Sequence, residues 1–130
     1  MKTILFNLII RYIIISFSMQ NYIGKSFVYL ICDPSQDLFK IGVTKNLCSK
    51  RMKQLQTGNG TELHLVNYHE TFYPYRIETF LHNKFHHKRE HGEWFRLGIN
   101  DITSFKKICE EFENVIEILK DNPFFTKNLH

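Results

Sequence analysis

Apolar residues recur along this chain with two different periods, and the switch between them marks out the elements. Phe27, Val28, Tyr29, Leu30 and Ile31 form a short β-branched and aromatic run. Turn residues follow, Asp33-Pro34-Ser35-Gln36-Asp37, and then a second run from Leu38 to Val43. The pair reads as a hairpin. Alternation places Tyr29 with Phe27 and Ile31, and Lys40 opposite Phe39, Ile41 and Val43. A third strand is expected from Glu62 to Glu70, where apolar and polar residues again alternate.

Helical spacing appears in three places. Leu47, Cys48, Met52 and Leu55 predict a helix from about Leu47 to Gln56, capped by Asn46 and stopped by Thr57-Gly58-Asn59-Gly60. Arg51 falls in the middle of its apolar face. An inward arginine is costly unless it is paired or stands at the mouth of a site, although an arginine snorkelling at a sheet edge has the same pattern. Ile77, Phe80, Leu81 and Phe85 predict a second helix from about Tyr75 to Lys88, opened by Pro74 and carrying Glu78 at the edge of its stripe. Arg89 to Gly92 should break it, and Glu93 to Leu97 reads as a short strand or ordered loop packing Trp94. The third helix, Asp101 to Leu119, has Asp101 as its cap and an unbroken stripe from Ile102 to Leu119, and is assigned to scaffolding.

Length and composition describe one packed α/β (α+β) domain: 130 residues, 43% hydrophobic and 15% aromatic, which excludes a disordered chain. Cys32, Cys48 and Cys109 are odd in number and widely spaced, which argues for reduced, buried thiols and against a disulfide or CxxC metal framework. The first eighteen residues are apolar, but Arg11 interrupts them and they fall short of the ~20 that a membrane span needs. Residues 1–23 are therefore read as an extension, with Met19 a candidate start and a membrane anchor the lesser reading. Residues 24–120 form the domain and 121–130 a tail.

Charge adds a partner. The net charge is +4, and residues 24–97 hold 11 Lys or Arg against 7 Asp or Glu, together with six of the seven histidines. A basic body fits a polyanion, although a solvated surface accounts for the balance as well. Lys45, Lys50, Lys53, Lys84, Lys88 and Arg89 could bind phosphates without reading sequence, and Gln56 to Asn59 offer polar groups to a nucleic-acid backbone or base edge. His82, His86, His87 and His91 have i,i+4 spacings that can hold zinc, but a polar helix face is the better account. Tyr29, Lys40, Arg51 and Glu78 make a set with one phenol, two cations and one acid, which is what phosphodiester hydrolysis requires.

The order of short motifs sharpens that reading. Val28-Tyr29-Leu30, then KIGVTKN (Lys40 to Asn46), Arg51 to Asn59, ExxLHxxF (Glu78 to Phe85) and GEWF (Gly92 to Phe95) resemble the GIY-YIG nuclease superfamily, and more narrowly its phage- and large-virus-type DNA-binding branch. The resemblance covers roughly residues 26–112. It implies a small domain with a central three-stranded, mainly antiparallel sheet flanked by helices. It also implies an intracellular DNA endonuclease from a phage, a large DNA virus or a mobile element, with a catalytically inactive DNA-binding module as the alternative. By the same resemblance, Tyr29 would position the attacking water, Arg51 would contact the scissile phosphate, and Glu78 would hold Mg²⁺ or Mn²⁺. Gly42 would let strand and helix meet closely, and Gly92 and Trp94 would be structural. DNA contacts would fall to Lys45, Lys50, Lys53, Gln56, Asn59, His82, Lys88 and Arg89. No small-molecule cofactor is implied. Lys40 stands where the founding pattern has its second tyrosine, Phe27-Val28 where it has Gly-Ile, and Leu55 where several nucleases have His or Tyr.

Overall fold

The computed structural model describes residues 25–45 and 62–123. Strand β1 (Ser26–Asp33) lies between the two other long strands: it pairs antiparallel with β2 (Leu38–Thr44) on one side and β3 (His64–Thr71) on the other. The turn between β1 and β2 is built by Asp33, whose carboxylate accepts hydrogen bonds from the Ser35 N–H, the Ser35 hydroxyl and the Gln36 side-chain amide. Asp37 completes it at φ 55°, a left-handed conformation that aspartate tolerates.

Helix α1 (Pro74–Lys84) follows β3, and its proline sits in the first turn, where no amide donor is needed. A 3₁₀ turn (His86–Lys88) leads into β4 (Arg89–His91) and β5 (Trp94–Phe95), and α2 (Ile99–Lys120) closes the described chain. The sheet runs β3-β1-β2-β5-β4 with antiparallel neighbours throughout.

One face of the sheet makes the core. Val28, Leu30, Phe39 and Ile41 pack against Ile77 and Leu81 of α1 and Phe105, Cys109, Phe112 and Ile116 of α2. Most of both predicted helical stripes is buried against the sheet or packed beside the core, but Val115 of the second stripe is exposed. At the sheet edge, His69 Nε2 lies 3.1 Å from the Glu113 carboxylate, and the Tyr73 hydroxyl donates to Glu117 at 2.6 Å, fastening α2 to β3 and its connection. The opposite face carries a smaller cluster of Tyr29, Ile31 and Leu63, with Trp94 packed against it.

Three expectations are corrected. The sheet has five strands, not three. Strand β5 falls within the Glu93–Leu97 segment read as a short strand or ordered loop, whereas β4 is missed: Arg89, Glu90 and His91 are all exposed and have no apolar alternation. The helix expected to run to Lys88 ends at Lys84. There the chain tightens into the 3₁₀ turn, and the Arg96 N–H captures the Lys88 carbonyl at 2.8 Å, drawing this segment into the sheet. Helix α2 begins at Ile99 with Gly98 as its N-cap; Asp101 acts from the first turn by accepting the Gly98 N–H at 2.9 Å.

Cys109 is fully buried, and desolvation pushes its thiol up to about 12, so it is an inert core residue. Among the described residues no helix is long and apolar enough to cross a membrane.

Candidate active site

Register decides which polar groups can meet. Tyr29 pairs with Gly42 and Ile31 with Lys40, so Tyr29, Lys40 and Gly42 share the sheet face opposite the main core. The Tyr29 ring lies directly over Gly42: a Cβ at position 42 would overlap the phenol oxygen and Cζ. The glycine thus makes room for a ring, where the sequence resemblance implied close approach of a helix. Tyr29 itself is 1% exposed, so its phenol is part of the packed wall and not a solvent-facing group.

Helix α1 brings the carboxylate. Ile77 and Leu81 anchor it in the core, which leaves Glu78 and His82, one turn apart, on its flank towards β2. His82 Nε2 donates to the Ile41 carbonyl at 2.9 Å, and its ring packs 5.0 Å from Phe95. Burial, opposed by that hydrogen bond, holds the His82 pKa below the usual imidazole range, so His82 is a neutral strut. Glu78 is half-buried, and its carboxyl is pushed up to about 7, mainly by desolvation and then by the negative charge of Glu93, with Lys40 opposing. Glu78, Glu93 and Lys40 therefore share one electrostatic environment.

The β4–β5 hairpin supplies the remaining groups. Its two-residue turn has Gly92 at φ 53°, followed by Glu93 at the tip. The Glu93 carbonyl accepts the Ile41 N–H at 3.2 Å, and Trp94 pairs with Lys40 across the β2–β5 ladder. As a result the Lys40 ammonium lies 3.6 Å from the Glu93 carboxylate and 5.8 Å from the centre of the indole ring. Glu93 is not among the residues that sequence reasoning singles out. Its signal is its place in GEWF, after a glycine, but nothing local says that its side chain reaches Lys40.

The other expected residues separate. Arg51 lies outside the described residues, as do Lys50, Lys53, Gln56 and Asn59 and the helix expected to carry them. Lys45 is exposed just beyond β2. Arg89 is exposed, its guanidinium 5.3 Å from the Phe95 ring centre. Lys88 is held by Asp101 at the start of α2, which leaves less of its charge for a phosphate. His86 donates to the Asn83 carbonyl within its own turn. Among the described residues no three or more His, Cys, Asp or Glu side chains group as they would around a metal, so the histidine spacing does not close into a zinc site.

A divalent cation bound through a single carboxylate and water is a different case. Glu78 offers a carboxylate whose neighbour Glu93 adds negative charge, which would attract a dication more strongly than a proton, whereas burial favours the proton that a metal would have to displace.

A sheet face of this kind, with a lysine, a half-buried glutamate and a GEWF hairpin meeting beside KIG, can be compared with known domains. No curated protein and no solved structure matches the chain. The T5orf172 domain matches residues 26–113, from the first residue of β1 into α2. That domain occurs in phage and bacterial proteins and is related to nuclease-type modules. The match takes in every residue of the Lys40, Glu78 and Glu93 cluster and more than half of the sequence, and the chain belongs to the T5orf172 domain family.

Proposed function

We propose that this domain binds DNA and hydrolyses a phosphodiester bond with the help of one divalent metal, Mg²⁺ or Mn²⁺, held by Glu78. The observation that carries the reading is the convergence of Lys40, Glu78 and Glu93, from three separate elements, beside the Tyr29–Gly42 contact. The metal would supply Lewis acidity at the phosphate. Lys40 would stabilise the negative charge that builds on the phosphate oxygens. Tyr29, packed over Gly42, would fix the wall against which the phosphate sits. Arg51 would add the second cation, as the resemblance to GIY-YIG nucleases implies. Attack by water forms one P–O bond and breaks another, leaving a phosphate monoester and a free hydroxyl.

A DNA-binding module without catalysis is the second reading, favoured by the burial of the Tyr29 phenol. A nicking assay on supercoiled plasmid with Mg²⁺ or Mn²⁺ decides between them. The endonuclease reading expects nicking by the wild type, reduced about 100-fold or more in Glu78→Gln. Equal DNA affinity for both proteins with no nicking by either supports the binding module and ends the catalytic reading.

A further inference from the structure

Glu93 is a carboxylate at a surface proposed to receive polyanionic DNA, and by itself it opposes that role. Its placement is nevertheless tightly determined. The positive φ of Gly92 shapes the turn, the Glu93 carbonyl is bonded to the Ile41 N–H, and the next residue pairs with Lys40. The side chain is 44% exposed, while that of its partner Lys40 is only 16% exposed. An ammonium largely withdrawn from water needs a counter-charge, and the carboxylate at 3.6 Å supplies one; the Trp94 ring flanks it. Lysine has a long flexible stem. Without Glu93, the Lys40 ammonium would be free to swing towards phosphates.

We propose that Glu93 is a positioning residue for Lys40: it holds the ammonium beside Glu78 and keeps it from serving as an ordinary phosphate anchor. The catalytic half of this inference rests on the endonuclease reading; the binding half does not. A charge held in place for the transition state contributes to rate, whereas the same charge spent on bound substrate contributes only to affinity. Removing the Glu93 charge should therefore move binding and cleavage in opposite directions. A residue needed only for folding would weaken both.

The test measures duplex DNA affinity by fluorescence anisotropy and single-turnover nicking with Mg²⁺, for the wild type, Glu93→Gln, Lys40→Met and the double variant. Glu93→Asp, which keeps the charge on a shorter stem, is a fifth protein. Glu93→Gln should bind DNA about 3- to 10-fold tighter, with a salt dependence steeper by about one phosphate contact. It should cleave about 10-fold slower, and Glu93→Asp should restore part of the rate. In the Lys40→Met background the gain in affinity should largely vanish, because the two residues act as one unit.

Unchanged or weaker binding by Glu93→Gln overturns the proposal. So does an equal gain in the Lys40→Met background, which would assign the effect to simple repulsion. Tighter binding at an unchanged cleavage rate overturns the positioning role. If the wild type does not nick DNA at all, the endonuclease reading fails, and the affinity cycle still decides whether Glu93 restrains Lys40.

Discussion

The β1–β2 and β4–β5 hairpins each carry a carboxylate at the turn and use it in opposite ways. Asp33 is 2% exposed and accepts hydrogen bonds from Ser35 and Gln36 within its own turn. Glu93 stands at the tip of a two-residue turn and sends its carboxylate to Lys40 on another strand, within electrostatic reach of Glu78 on a helix. The first hairpin is long and well buried, with a turn held by Asp33. The second has strands of three and two residues and gains its order from docking onto β2. A carboxylate that holds its own turn together is part of the architecture. One whose partners come from distant elements is where chemistry becomes available.

The largest expected effect lies in the first hairpin. Asp33→Ala removes three hydrogen bonds and leaves their donors to find new partners, for a loss of about 3 kcal/mol. Thermal unfolding should shift down by roughly 10 °C, with the DNA affinity of the folded protein unchanged. A loss of affinity at temperatures where the variant is folded would break the contrast between the hairpins.

Gly42→Ala, also in the first hairpin, forces a Cβ into the Tyr29 ring and should cost about 2 kcal/mol by chemical denaturation. Adding Tyr29→Phe removes one of the overlapping atoms and should recover only part of it. Full recovery would mean that the ring carbon is not a real obstacle.

The third effect belongs to the groups that Glu93 faces. The Glu78 carboxyl rises from 4.5 to about 7 on folding. A raised carboxyl binds its proton more tightly in the native state, so its contribution is fully present below pH 4.5 and is lost as pH rises through 7. Between those limits stability should fall by about 1–2 kcal/mol, allowing for solvent screening, and Glu78→Gln should flatten the change. Melting curves at pH 5 and pH 8 check this. Mg²⁺ or Mn²⁺ at pH 8 should raise the wild-type melting temperature and leave that of Glu78→Gln unmoved. Equal metal shifts in both proteins would remove Glu78 from the metal site.

The smallest effect tests the second turn alone. Gly92→Ala places a side chain at φ 53°, at a cost of about 1 kcal/mol, although nothing lies within 4 Å of the new Cβ. The melting temperature should drop by a few degrees. If DNA affinity also rises, as expected for Glu93→Gln, the turn geometry and the carboxylate act together.

Much of this was legible along the chain. Strands β1 to β3 and both described helices were found from residues of the right type, and helical spacing placed Ile77, Leu81 and Phe105 in the core; in β3 the alternation did not report burial, since Leu65, Val66 and Tyr68 are exposed while His69 and Thr71 are buried. Tyr29 and Lys40 could be assigned to separate strands of one hairpin, and Glu78 to the edge of a helix stripe. The order of short motifs pointed to a phage-type, nuclease-related domain, and the T5orf172 match supports that broader reading.

What the sequence determined by itself was therefore the local order: which segments alternate, which wind, where turns fall, and which residues have chemistry to offer. Only the tertiary structure decided that Arg89–His91 and Trp94–Phe95 extend the sheet, that the Tyr29 ring closes over Gly42, and that Glu93 meets Lys40 beside Glu78. The reason is physical. Helical and strand periodicities are properties of neighbours in the chain, whereas the contact between residues 40 and 93 depends on strand pairing across a long sequence separation, made by backbone hydrogen bonds that carry no side-chain signature.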